Sequence, residues 1–487
     1  MKRRHFLQKA SIVTAGLLLP SVLMNCVKEY REDKSPSPSS GIDLKVLVLG
    51  AGMSGLAAAS LLKSKGVDVQ VIEASSRYGG RIDSVDFEGY IADCGASWIH
   101  GISGNPLYSL ANENAITTRT TYYEPSYIFD MDGTDITEEE WNTIKPYLDQ
   151  LSDIACENQE LSLQGVLEII APQLNLNERL MRLFYGAVRS EIEIPYAIDA
   201  ADISARALCV NDSFPGNDVI FPSGMHQLTD VLAKNLDIIY NTFVVKIDYS
   251  DEKVKVYTKK YADVPGERAC NACHDSSNAS TVIHDQMYVA DKVIVALPPE
   301  MLKNENVVFS PPLPASKKSA LGGLEMGVMN KVFLKFENTF WSEDGYFLEI
   351  LKENHSEVIE FFNPVPVGAE NILVAVLSGY HAKSIESLTD DEVRELVMND
   401  LRGMYGENIP QPVAIHRTAW HTNPLSLGCY PHLKPGYSMD VCDAIARSIQ
   451  NQVFFAGDAS TKKYMATAHG AYISGRDAAQ EILDFAQ

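Results

Sequence analysis

Gly50-Ala51-Gly52-Met53-Ser54-Gly55 stands directly behind the apolar, β-prone run Lys45-Val46-Leu47-Val48-Leu49. Leu56 to Lys65 then reads as an Ala- and Leu-rich helix stopped by Gly66, and Val67 to Ile72 as a second strand ending at Glu73. Strand, glycine turn, helix, strand and acid within about thirty residues is the arrangement that binds a dinucleotide. Gly50 permits the tight turn, Gly52 lets the backbone approach a pyrophosphate, and Gly55 lets the helix close on the strand. The helix N-terminus offers unpaired N–H groups and the positive end of its dipole to the phosphates. Glu73 can accept hydrogen bonds from ribose hydroxyls. Further on, Arg77 and Arg81 flank the pair Gly79-Gly80, a second place for close backbone approach and for charge neutralisation at a pyrophosphate.

Lys331 precedes the alternating run Val332, Leu334, Phe336, which marks a strand. A lysine in so apolar a setting is a candidate for perturbed acid–base behaviour, whereas Lys335 reads as a solvated strand position.

Glu73-Ala74-Ser75-Ser76-Arg77-Tyr78-Gly79-Gly80-Arg81 meets every fixed position of E-A-x-x-R-x-G-G-R, and so resembles the second FAD motif of the flavin amine oxidases. The resemblance runs from about Lys45 to the C-terminus and implies FAD as cofactor. It has further anchors. Ala96-Ser97-Trp98-Ile99-His100-Gly101, followed by Asn105-Pro106-Leu107, resembles a segment of animal spermine and acetylpolyamine oxidases. It implies that Ala96, Ser97 and Trp98 face the flavin and that His100 lies near the substrate amine, to steer or deprotonate it; the plainer reading of His100 is a satisfied histidine packed beside the flavin. Phe221 to Leu228, followed by a helix over Thr229 to Asn235 and a β meander, resembles the family segment whose strand backbone contacts the adenine, which implies that role for Val244. Lys331 matches the family lysine that holds a water on flavin N5. Phe454-Phe455-Ala456-Gly457-Asp458, then Thr467-Ala468-His469-Gly470-Ala471, resembles the closing motif, with Gly457 and Asp458 at the ribityl or phosphate region and a helix from Gly470 to Leu483 aimed at the isoalloxazine.

Departures from the pattern narrow the substrate. Monoamine oxidases set two tyrosines before the flavin; here Thr467 takes the second place, leaving Trp420 or Tyr430 as the aromatic wall. The tower insertion of histone demethylases is missing. Cys429, in Gly428-Cys429-Tyr430, either holds FAD through a thioether, as the resemblance to monoamine oxidases implies, or is a small buried residue beside the flavin edge. A substrate carboxylate would need an arginine clamp, for which Arg206 and Arg417 are the candidates.

The chain has 487 residues, 64 acidic against 41 basic, and a net charge of −23. That disfavours nucleic acid and anionic membrane as partners and favours cationic ligands. Lys2-Arg3-Arg4-His5-Phe6-Leu7 and the apolar run to Met24 resemble a twin-arginine signal, a route suited to a folded flavoprotein. This predicts export to the periplasm, with Cys26 either carrying a lipid anchor or ending a plain leader. Residues 1–26 are then the leader, and 27–43, rich in Ser and Pro, a tether. Cys270 and Cys273 fit a hairpin disulfide or a metal clip better than haem. No metal site is expected elsewhere.

The fold expected is α/β: a Rossmann-like FAD-binding domain over 44–110, 217–312 and 425–487, interleaved with an α+β substrate domain over 111–216 and 313–424, of the amine oxidase type. Helices are predicted over Leu163 to Ile170 and Glu178 to Glu191, strands over Lys331 to Phe336 and Asn371 to Leu377, and a capping box at Thr389 and Glu392. The function implied is oxidation of a polyamine C–N bond, with O2 reduced to hydrogen peroxide. The alternatives are an amine or amino-acid dehydrogenase with another acceptor, or an exported protein that holds FAD without catalysis.

Overall fold

The computed structural model describes residues 43–210, 213–262, 282–303 and 306–486. The leader with Cys26, the tether before residue 43, and the Cys270/Cys273 pair lie outside the described residues.

A five-stranded parallel sheet forms the first layer, in the order Val453–Phe455, Lys292–Val295, Lys45–Leu49, Asp68–Ile72, Asp237–Ile239. Val46, Leu47, Val48 and Leu49 are fully buried, because both faces of a parallel sheet are covered. Val46 and Val48 pack toward the helices Met53–Ser64 and Ala468–Phe485, and Leu47 and Leu49 toward the opposite layer. That layer contains the antiparallel strands Thr242–Asp248, Val254–Tyr261 and Val282–Ala290.

A six-stranded sheet has the order Ala414–Arg417, Met329–Lys335, Ile372–Ser378, Glu360–Phe362, Phe347–Ile350, Ser126–Phe129. Side chains alternate between its faces. Val332 and Leu334 pack on the helix Asp390–Tyr405, while Phe333, Val374, Phe362 and Phe347 pack against Phe87, Ala92 and Ile220. Helices Glu138–Glu157, Leu163–Ile170 and Glu178–Val188 share another core.

The helix boundaries differ from the sequence expectation for local reasons. The helix behind the glycine turn opens at Met53, not Leu56, because Gly52 is its extended N-cap. The last opens at Ala468, not Gly470, because the Thr467 hydroxyl accepts from Gly470 N; the expectation overlooked threonine as an N-cap. The helix from Glu178 ends at Val188 and continues as a π turn, Arg189–Glu193. The helix after Phe221 spans His226–Ala233. The Thr389/Glu392 capping box forms, and a second one, Thr137/Glu140, opens the helix Glu138–Glu157. Cys156 and Cys209 form a disulfide across 53 residues, a pairing not read from the sequence. Among the described residues no helix is long and apolar enough to cross a membrane.

Candidate active site

The glycine turn has the geometry its sequence demands. Gly50 sits at φ +101° and its N–H donates to Ile72 O at 2.8 Å. A Cβ on Gly55 would stand 1.9 Å from Gly50 O, so only glycine lets helix and strand close there. A Cβ on Gly52, by contrast, would meet nothing within 4 Å, and no side chain caps the helix behind it. Open space at Gly52, next to an uncapped helix N-terminus, fits a pyrophosphate. Glu73 is buried, which pushes its pKa up, and it accepts from Ala51 N (2.6 Å) and Ser75 N (2.9 Å). It thus ties down the loop, and its remaining lone pairs can serve a ribose.

The arginines divide their work. The Arg77 guanidinium is occupied by the carbonyls of Tyr78, Gly80 and Ile82 and by Asp83 at 3.2 Å. Through these contacts Arg77 shapes the turn around Gly79 and Gly80, the turn expected to approach the pyrophosphate. Arg81 forms a bidentate pair with Asp458 at 2.7 and 2.8 Å and also donates to Cys429 O. Asp458 therefore does not simply face the cofactor, as expected, but joins the closing motif to the second FAD motif. Gly457, at φ +152°, borders space in which a Cβ would meet nothing within 4 Å. Val244 lies on the strand whose entry is tied to Glu73 by Thr242 N–H and to Ser75 by Asn241 N–H.

Lys331 reaches from the six-stranded sheet into the loop after Asp93. Its ammonium donates to Asp93 O and Gly95 O, both at 2.8 Å, and to Ser97 Oγ at 2.5 Å, and lies 5.9 Å from the Trp98 ring centre. Burial brings its pKa down to about 8 against the pull of Asp93 and Cys429. Asp93 is itself pushed up to about 6 by burial, opposed by hydrogen bonds from Ser84 and Met225 N. Lys335, the rival, is a solvated strand position that donates to Glu370 O. Ala96 N–H donates to Arg81 O, so the Lys331 loop rests on the cofactor motif.

Trp420 is buried, donating from its indole to Cys94 O at 3.1 Å, and Tyr430 donates to Pro195 O at 2.8 Å. The Cys429 thiol is partly buried, donates to Gly327 O and accepts from Met329 N, both at 3.0 Å, and is pushed up to about 12 by burial. Such a thiol is a weak nucleophile. His100 is half exposed and bonded to Asp218 at 2.8 Å. Asp218 was not singled out from sequence. Nor was His469, which packs with Tyr464 and Phe214; burial, then His100, holds its pKa down to about 3, so it is neutral. Arg206 pairs with Glu160, and Arg417 with Asp390 and the Ile385 and Leu388 carbonyls; neither is placed as a carboxylate clamp.

A family model described as flavin containing amine oxidoreductase matches residues 53–483. The chain belongs to this family. Its relatives include Lysine-specific histone demethylase 1 homolog 2 of Arabidopsis thaliana, 29% identical over 92% of this chain and 60% of that protein, and Protein FLOWERING LOCUS D of the same plant, 30% identical over 92% and 56%. The chain thus spans less than two thirds of the length of these relatives. Polyamine oxidase 2 of Arabidopsis thaliana is 28% identical over 94% of this chain and 90% of that one. A solved structure of wild-type putrescine oxidase bound to putrescine shares the fold, with a TM-score of 0.71 at 20% identity, over 91% of this chain and 99% of that one. The family's cofactor is FAD, and the open cradle at Gly52 and Gly457 fits it. Glu73, Val244, Ala96 to Trp98 and the helix capped by Thr467 and led by Ala468 are the residues that would hold it.

Proposed function

We propose that this protein oxidises a polyamine, using FAD and oxygen, outside the cytoplasm. FAD bound there would supply a two-electron acceptor for the hydride on the carbon beside nitrogen, with oxygen reduced to hydrogen peroxide. The chain's own residues must hold the amine, strip its proton and keep water out. Lys331, with its pKa near 8, is a group able to exchange a proton close to neutrality.

One observation carries the polyamine reading. Lys331 pairs across the sheet with Val376, Val376 with Glu360, and Glu360 with Glu349. Directly opposed residues share a face, so buried Glu360 and Glu349 stand on the face of Lys331. Strand spacing sets them about 10 and 14 Å from its strand. Both carboxylates have interactions of their own, and they give this face an acidic character that suits a substrate carrying further ammonium groups beyond the one oxidised. The −23 net charge acts in the same direction at long range. The Cys156–Cys209 disulfide supports an oxidising compartment, as does the twin-arginine-like leader.

The test is to mix the flavin-loaded protein anaerobically with spermine, spermidine, putrescine or a monoamine, follow the visible flavin band, then admit air. Bleaching by a polyamine but not by the monoamine, reversed by air with peroxide release, is expected. Bleaching that air leaves unreversed assigns a dehydrogenase, and no bleaching by any polyamine refutes the substrate reading.

A further inference from the structure

The helix Glu178–Val188 runs into the π turn Arg189–Glu193, and a short turn, Ile194–Tyr196, closes at Ala197 with φ +58°. Every residue of the π turn is buried. Such turns are rare and occur frequently at functional sites. Arg189 has no exposed surface. Its Nη1 donates to Glu193 Oε2 and to Asp199 Oδ1, both at 2.9 Å, and its Nη2 to Ser378 O at 2.8 Å. The two carboxylates extend the knot: Glu193 Oε1 accepts from Ala200 N and Asp199 Oδ2 from Tyr380 N, both at 2.8 Å. One guanidinium thus holds both ends of the loop 194–200 and the end of the strand Ile372–Ser378.

That loop is bonded to the segment beside the second FAD motif. Pro195 O accepts from the Tyr430 hydroxyl at 2.8 Å, and Ala197 O from Val328 N at 2.8 Å. Val328 O accepts from Gly379 N at 2.9 Å, so Val328 is pinned between the two segments that Arg189 joins. A Cβ on Gly327 would stand 3.0 Å from Ala197 Cβ and from Tyr196 O, which leaves no slack between loop and strand. Gly327 O accepts from Cys429 N, and Cys429 O accepts from Arg81, the partner of Asp458.

We infer that Arg189 is a positioning residue: through the loop 194–200 it fixes Tyr430 as a wall over the flavin. A buried ion pair seldom stabilises a fold more than apolar packing would, so an arginine enclosed with two carboxylates argues for placement rather than stability. The planar fork reaches acceptors from Nη1 and Nη2 at once, which the point charge of lysine does not. The Tyr430 side chain is then held at its hydroxyl by the loop and at its backbone by the neighbouring Cys429. This inference rests on the reading of FAD as cofactor and of Tyr430 as an aromatic wall.

The test measures how well iodide quenches the fluorescence of the bound flavin, at fixed ionic strength, in wild type, Arg189→Lys, Tyr430→Phe and the double variant. Each single variant should raise the quenching constant by roughly two- to fivefold, and adding Arg189→Lys to Tyr430→Phe should change it by less than about 1.5-fold. An unchanged constant in Arg189→Lys overturns the inference. So does a factor that is equal in both backgrounds, the mark of general loosening. Should Arg189→Lys fail to fold, Tyr430→Phe, which removes one hydroxyl, decides by itself: unchanged quenching overturns the inference. With the amine that bleaches the wild type fastest, Arg189→Lys should raise KM about tenfold and leave kcat within about threefold; a fall in kcat with KM unchanged also overturns it. If no amine bleaches the wild type, the amine reading fails alone, and the quenching still decides whether Arg189 closes the wall.

Discussion

Replacing Lys331 by Met keeps length and removes charge. Burial lowers the lysine pKa from 10.5 to about 8, so its charged form is disfavoured in the fold by ~3 kcal/mol. Methionine relieves that cost at neutral pH. It also takes the donor from Asp93 O and Gly95 O, at about 1–3 kcal/mol each, although Ser97 Oγ is already 3.1 Å from Gly95 O and can compensate there. These opposing effects nearly cancel, so the variant should keep its flavin and stay within about 2 kcal/mol of wild type. A lysine with a lowered folded pKa destabilises fully below about pH 8, and this penalty fades as pH rises toward 10.5, since the unfolded chain binds more protons in that window. Wild-type stability should therefore gain between those limits a component that the variant lacks. Catalysis should respond differently: flavin reduction or reoxidation falls by about 100-fold or more, and any limb of the pH profile near 8 disappears. Chemical unfolding at several pH values, together with stopped-flow reduction and reoxidation, checks both halves. Rates within twofold of wild type would remove Lys331 from the chemistry. A large loss of stability at every pH would make it a structural tie instead.

Asp458→Asn should lower unfolding stability by about 3 kcal/mol, because it leaves the largely buried Arg81 without its charged partner; urea unfolding at saturating FAD measures it. Removing the Cys156–Cys209 bridge with the paired substitutions C156S and C209S frees a 53-residue loop, and the stability lost should approach about 4 kcal/mol, read as a shift of the urea midpoint. Acid precipitation should leave a colourless pellet and free FAD, because the Cys429 thiol is held neutral and already hydrogen-bonded; a yellow pellet would show a thioether.

What was legible in the sequence was local or a matter of contrast. The glycine turn announces itself because strand, turn and acid are contiguous, and Lys331 because a charge interrupts an apolar strand. The capping box at Thr389 and Glu392 was readable for the same reason. The turn contacts of Arg77 were not legible, because its carbonyl partners are set by the backbone path of the turn, which a residue pattern does not reveal. Asp218, the Arg81–Asp458 pair and the Cys156–Cys209 bridge were invisible because each joins segments far apart in the chain. Their partners are chosen by sheet order and register, which no short window of sequence contains.

The helix after the glycine turn and the last helix press together so closely that a Cβ on Gly475 would fall 2.0 Å from Ser54 O. The strand at Lys45–Leu49 reaches the edge strand Val453–Phe455 only through Lys292–Val295. The nucleotide cradle at Gly50–Gly55 therefore cannot finish folding until residues 453–485 have been synthesised. Contacts of such long sequence range fold slowly. Until then the nascent chain must carry the exposed apolar face of the helix Met53–Ser64, vulnerable to aggregation until Gly475 arrives. Loss of even the last two turns should thus harm flavin loading more than their distance from the glycines suggests.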